Sequence, residues 1–188
     1  MSDEWYTPAR YVEAARAVMG EIDLDPASCE LANRIVKAER IYTKMDNGLS
    51  QVWTGRVWLN PPFARRQTPG KKTHQGLWVN KLVQEYLANR VTEAVLLTTC
   101  RPDTSWFSQL WDYPICFVDH KVGFYTPQAG KYLQEVAHGH GTLFVYLGPH
   151  HQRFLEHFSP FGTIAQRISP VPTMFTTPDL WAEVLHEQ

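Results

Sequence analysis

The chain has 188 residues, 44% of them hydrophobic and 20% charged, with 18 Lys and Arg set against 19 Asp and Glu. That apolar share builds a sizeable core and excludes a disordered polyelectrolyte. The formal net charge of −1 argues against a protein that binds polyanions over its whole surface. The length fits a single domain spanning 1–188.

No apolar run approaches the roughly 18 residues of a membrane span. The acidic start Met1-Ser2-Asp3-Glu4 is unlike a signal peptide, so no membrane association is expected. Cys29, Cys100 and Cys116 are odd in number, scattered and without C-x-x-C spacing, which predicts reduced thiols in a cytoplasm. His138, His140, His150 and His151 have no Asp or Cys at ligand spacing, so no metal site is expected.

In chain order, Thr7-Pro8 followed by apolar Tyr11, Val12, Ala15, Val18 and Met19 predicts a helix capped by Thr7 and stopped by Gly20. Residues 22–25 read as a short strand ended by Pro26, 31–38 as a short helix and 40–43 as a second strand. Residues 56–60 form a strand running straight into Pro61-Pro62. The stripe Leu77, Trp78, Leu82, Val83, Tyr86 and Leu87 predicts a helix over 77–90. The continuous apolar run 94–97 is a buried strand, and 115–118 and 142–147 are two more. Residues 105–111, 154–158 and 179–186 read as helices. This alternation predicts an α/β fold: a doubly wound, mostly parallel sheet with helices on both faces. Ligands of such sheets bind outside the carboxyl ends of the strands. Asp25-Pro26 and Asn60-Pro61-Pro62 both lie at such ends.

Asn60-Pro61-Pro62-Phe63 is the tetrapeptide that carries chemistry. A double proline at a strand exit can simply prevent further pairing. It also fixes the backbone, so that the Asn60 amide oxygen and the Pro61 carbonyl can point at one place as acceptors. An exocyclic amino group offers two N–H donors to such a pair. Phe63 supplies a face for a planar base, a contact worth about 1–3 kcal/mol.

Four ordered segments carry a family resemblance. They are Asp3-Glu4-Trp5-Tyr6-Thr7-Pro8; Ile22-Asp23-Leu24-Asp25-Pro26-Ala27-Ser28; Asp46-Asn47-Gly48-Leu49 with Trp53; and Val57-Trp58-Leu59-Asn60-Pro61-Pro62-Phe63. Together they resemble the small phage-type, Dam-like DNA N6-adenine methyltransferases, within the Rossmann-like fold that uses S-adenosylmethionine. The resemblance implies that Trp5, Tyr6, Thr7 and Pro8 lie over the cofactor. It also implies that Asp25, Pro26 and Ala27 meet its methionine part and that Asp46 faces its adenosine end. Asn60, Pro61, Pro62 and Phe63 match the catalytic motif that holds a flipped adenine. Three departures stand out: no glycine-rich turn follows Asp25, no acidic residue stands at the end of the second strand to grip ribose hydroxyls (Glu39 comes too early), and the motif ends in Phe where Tyr is common.

The charge balance conceals an asymmetry. From Gly48 to Gln84 there is no Asp or Glu, whereas Arg56, Arg65, Arg66, Lys71, Lys72 and Lys81 are all cationic. Within it, 64–76 reads as a basic loop following the motif. Arg65, Arg66, Lys71, Lys72 and His74 are its candidate DNA contacts, although a charge run also serves solubility. One basic face around the pocket and an acidic back are therefore expected.

The function expected is methyl transfer from S-adenosylmethionine to adenine N6 in DNA, site-specific or loosely specific, in the cytoplasm of a bacterial or phage-infected cell. The same pocket suits an RNA adenine or a protein amide, and a catalytically idle nucleic-acid-binding module is the remaining alternative. No separate target-recognition domain is evident. Residues 121–140 and the tail after Pro170 are the candidates to read bases, unless a homodimer shares that work.

Overall fold

The computed structural model describes residues 5–62, 74–128, 131–135 and 141–167. Phe63, Arg65, Arg66, Lys71 and Lys72, the candidate helix 179–186, and His138 and His140 lie outside the described residues.

The first helix, α1 (Ala9–Met19), buries Tyr11, Val12, Ala14, Ala15, Val18 and Met19 on one side. That spacing is the apolar stripe of a helix laid on a core. It ends at Gly20, whose N–H donates to the Arg16 carbonyl at 2.7 Å. The cap position belongs to Pro8, with no side-chain cap, so Thr7 does not cap the helix as expected. Its hydroxyl serves Asn60 instead.

Strand β1 (Leu24–Asp25) leads through α2 (Glu30–Val36) to β2 (Arg40–Ile41). Strand β3 (Gly55–Leu59) leads toward α3 (His74–Leu87), which returns to β4 (Val91–Thr99). Helix α3 begins at His74, so the last three residues of the stretch read as a basic loop are helical. The 105–111 segment forms a 3-10 turn at Ser108–Asp112 rather than an α-helix. Beyond it come β5 (Ile115–Val118), the hairpin β6 (Phe124–Gln128) and β7 (Lys131–Glu135), β8 (Thr142–Leu147), α4 (His151–Phe158) and β9 (Gly162–Ala165).

Seven strands form one sheet in the order β2-β1-β3-β4-β8-β5-β9, and β6-β7 stand apart. The sheet is mixed rather than mostly parallel. Strands β2, β1, β3 and β4 pair in parallel, whereas β4-β8, β8-β5 and β5-β9 pair antiparallel. The expectation missed this because a continuous apolar run such as Leu143–Leu147 encodes burial on both faces and says nothing of direction.

Helices cover both faces. Strand residues Trp58, Val95, Leu97, Phe144 and Tyr146 pack with α1 and α4 in one core. Their neighbours Val57, Leu59, Ala94, Leu96 and Val145 pack with α3 in the other. This is the two-fold alternation of buried strands. Because β1, β3 and β4 run parallel, their carboxyl ends share an edge, and Asp25, Asn60 and Thr99 come to it together. Among the described residues, no helix is long and apolar enough to cross a membrane.

Candidate functional site

A recess opens at that edge, lined by Trp5, Tyr6 and Thr7 from the amino-terminal segment, Asp25 and Ala27 from the β1 exit, and Trp58 and Asn60 from β3. Five of the eight residues expected to meet the cofactor therefore come together with the first residue of the expected catalytic motif. Pro8 is buried at the start of α1 and Pro26 in the β1 exit. Ala32 and Val36 of α2 close one wall. Sequence reasoning missed these two and Trp58. For Trp58 the signal was present: it stands two residues before Asn60, so strand alternation puts both on one side.

Asn60 has its orientation fixed. Its Nδ2 donates to the Trp5 carbonyl at 2.9 Å and to Thr7 Oγ1 at 3.2 Å. A carbonyl can only accept, so turning the amide over would set Asn60 Oδ1 against the Trp5 carbonyl oxygen, whereas the Thr7 hydroxyl accommodates either end. Asn60 Oδ1 is thereby left buried with no hydrogen-bond partner among the described residues. A buried acceptor left unmade costs about 1–3 kcal/mol, which cancels what two ordinary hydrogen bonds on Nδ2 return. Such a group is a candidate to meet the donor of a ligand.

Asp25 is only 3% exposed. Its Oδ1 accepts from the Ala27 N–H at 3.2 Å, and among the described residues no cation pairs with it. Burial pushes its carboxyl up to about 7. A bound cation would reverse that cost by giving the carboxylate a partner. Asp23, two residues earlier, is placed quite differently. It pairs with Arg56 at 2.7 Å, and the Arg56 hydrogen bond holds its carboxyl below the usual range.

Asp46 does not line the recess. Its exposed carboxylate accepts from the Thr43 N–H and Thr43 Oγ1, both at 2.7 Å. These bonds close the 43–46 turn and lower its pKa. The neighbouring Gly48 explains why this segment accompanies Asp25-Pro26. A Cβ at Gly48 would stand 2.0 Å from the Pro26 carbonyl oxygen, so only glycine lets the loop back onto the turn. Trp53 Nε1 donates to the Gly48 carbonyl at 2.8 Å, and Trp53 stacks on Trp78 at 5.8 Å. The motif therefore buttresses the β1 exit from behind.

The amino-terminal segment is held from the other side as well. Tyr6 and Tyr125 exchange backbone hydrogen bonds of 2.8 and 2.9 Å, and Trp5 meets Phe124 edge-on at 6.0 Å. The β6-β7 hairpin, within the stretch considered for base reading, is thus bonded directly to a wall of the recess.

The acid-free window does not present all its cations. Arg56 is engaged by Asp23 and by Glu21 at 2.9 Å. Lys81 pairs with Glu85 at 2.8 Å and sits over the Trp53 ring. Both cations are thus engaged by carboxylates within the fold.

Because ionised Asp25 is costly only in the folded chain, this carboxyl removes stability as pH rises from about 4 toward about 7. The Asp25→Asn variant without ligand should therefore melt above the wild type at pH 8. The difference should shrink toward zero near pH 4, where both forms are neutral. Thermal melts across that range check it, and an equal gap at both ends would contradict it.

Comparison with known proteins gives a consistent result. The model of the family described as DNA N-6-adenine-methyltransferase (Dam) matches residues 1–155. A DNA N-6-adenine-methyltransferase of Escherichia phage T1 is 28% identical over 109 residues, covering 57% of this chain and 40% of that protein. The chain thus matches well under half the length of this relative. No solved structure matches. With most of its length inside the family model, the chain belongs to the DNA N-6-adenine-methyltransferase (Dam) family.

Proposed function

We propose that this chain transfers a methyl group from S-adenosylmethionine to the N6 amino group of adenine in DNA. The observation that carries this reading is Asn60, whose amide is locked with a buried, unpartnered oxygen at the recess. The family description and the name of the phage T1 relative favour DNA as the acceptor over RNA or a protein amide.

The residues of the recess fit S-adenosylmethionine, which when bound supplies a methyl group on a sulfonium. Asp25 offers a buried carboxylate that lacks a cation, and the cofactor carries positive charge. Trp5, Tyr6 and Trp58 add aromatic surface to the same walls, suited to a cation or a flat ring.

The adenine amino nitrogen is a poor nucleophile because its lone pair is delocalised into the ring. Asn60 Oδ1 and the Pro61 carbonyl would each accept one of its hydrogens. That would draw the nitrogen toward a pyramidal shape and free the lone pair to form the new N–C bond while the S–CH3 bond breaks, its electron pair staying on sulfur as a neutral thioether. One amino proton then leaves to solvent. Asn60 acts here by positioning and electrostatics, not as a base. Phe63 would stack on the extruded base and offset part of the few kcal/mol that flipping costs.

In this reading Arg65, Arg66, Lys71, Lys72 and His74 hold phosphates beside the pocket. Exchanging the two arginines and two lysines for glutamine should lower the salt slope of DNA affinity by up to about 0.9 per lost phosphate contact. An unchanged slope would remove them from the interface.

Asn60→Ala should lose about 10²–10³-fold in methyl transfer, the scale for removing one preorganised polar contact. Calorimetry should still detect cofactor binding, since Asp25 and the aromatic walls remain. Radiolabel transfer to DNA measures the rate, and retained methylation by this variant would sink the assignment.

A further inference from the structure

A second buried amide, given no role above, stands at the same edge. Gln75, on the first turn of α3, is only 7% exposed. Its Oε1 accepts from Thr99 Oγ1 at 2.7 Å, and its Nε2 is buried with no hydrogen-bond partner among the described residues. Thr99 ends β4, the strand beside β3. Leu97 and Trp58 share one core, so the residues two further on, Thr99 and Asn60, project to the same side of the sheet. The two amides are thus tied to neighbouring strand ends on one face. One leaves an acceptor unmade and the other a donor.

The wall around Gln75 is built closely. A Cβ at Gly76 would stand 2.9 Å from Trp106 Cδ1, so glycine lets the indole lie against the helix. Trp106 is itself nearly buried and its Nε1 also lacks a partner. Two orphaned N–H donors, one on Gln75 and one on the indole packed against the next residue of the helix, are costly features for a core. Each costs about 1–3 kcal/mol if nothing ever meets it.

We infer that Gln75 is a specificity-determining residue that donates from Nε2 to the ring nitrogen N1 of the target adenine while Asn60 accepts from its amino group. The inference rests on the adenine-methylating reading above and extends it to the neighbouring atom of the base. Adenine presents an N–H donor and a ring-nitrogen acceptor side by side on its Watson–Crick edge. The Asn60 oxygen and the Gln75 amide nitrogen form the complementary acceptor and donor. Guanine presents the reverse, a carbonyl beside a ring N–H, which would set acceptor against acceptor and donor against donor. Both protein groups would then stay unpaired, and that mismatch excludes guanine more strongly than any lost contact.

The test is methyl transfer to duplexes carrying adenine, 1-deazaadenine or 7-deazaadenine at the modified position, for wild type, Gln75→Met and Gln75→Glu. Wild type should lose about 10- to 100-fold in kcat/KM on 1-deazaadenine and far less on 7-deazaadenine. Both variants should lose a similar factor on adenine, with cofactor affinity kept and no further loss on 1-deazaadenine. If the variants remain as sensitive to the 1-deaza change as wild type, Gln75 does not read N1 and the inference falls. Should neither variant fold, the wild-type comparison decides alone: equal rates on adenine and 1-deazaadenine overturn it. Absence of methyl transfer to adenine by wild type would overturn the functional reading itself, and this inference with it.

Discussion

The hydrogen bond from Asn60 Nδ2 to the Trp5 carbonyl is the constraint on which the rest of the site depends. It joins the amino-terminal segment to the exit of a central strand, across 55 positions of sequence. Thr7 adds a second acceptor to the same nitrogen. The amide then has one permitted orientation, and its oxygen is left without a partner where the strand ends converge. A site chemistry that needs an acceptor at a fixed point is served by this arrangement before any ligand arrives, and preorganisation is what makes such contacts effective.

Around that bond the fold supplies support from two directions. The 46–49 turn, closed onto Pro26 by Gly48 and backed by the Trp53–Trp78 stack, holds the β1 exit where Asp25 is buried. The pairing of Tyr6 with Tyr125 holds the amino-terminal segment against the hairpin. A carboxyl raised by burial and an amide oxygen without a donor are both unfavourable for the isolated chain. Neighbouring ion pairs such as Asp23–Arg56 show the same chain satisfying its charges fully where no ligand is expected. The contrast between Asp23 and Asp25, two residues apart, sets a carboxylate satisfied by an ion pair beside one buried without a cation among the described residues.

Much of this was legible in the sequence, for identifiable reasons. Asn60-Pro61-Pro62 announced a strand exit with a polar head, and alternation of apolar runs with helical stripes announced a layered α/β sheet. Strand direction was not legible, because Leu143–Leu147 reads the same in either sense, and half of the neighbouring pairs proved antiparallel. The β6-β7 hairpin escaped because Phe124–Gln128 includes a proline and carries no strong turn signal. Thr7 was read locally as a helix cap, yet a contact 53 positions away claims its hydroxyl. Gln75 could not be found at all: nothing around a single glutamine tells that Thr99 will hold one end of its amide. The acid-free window overstated its free charge, since Arg56 and Lys81 are spent on Asp23 and Glu85. Local patterns carry element type and burial, whereas pairing across the sheet decides which polar groups remain available.

Amide hydrogen exchange with and without S-adenosylhomocysteine tests the central claim most directly, that this recess is the cofactor site and is held by the amino-terminal segment. Tyr6, Ala27 and Tyr125, whose amides bond within or behind its walls, should exchange at least about tenfold more slowly at saturating ligand. The His150 amide, bonded to Tyr146 at the far end of the sheet, should be unchanged. Protection confined to other segments, or bound ligand with no slowing at Tyr6 and Ala27, would contradict the account.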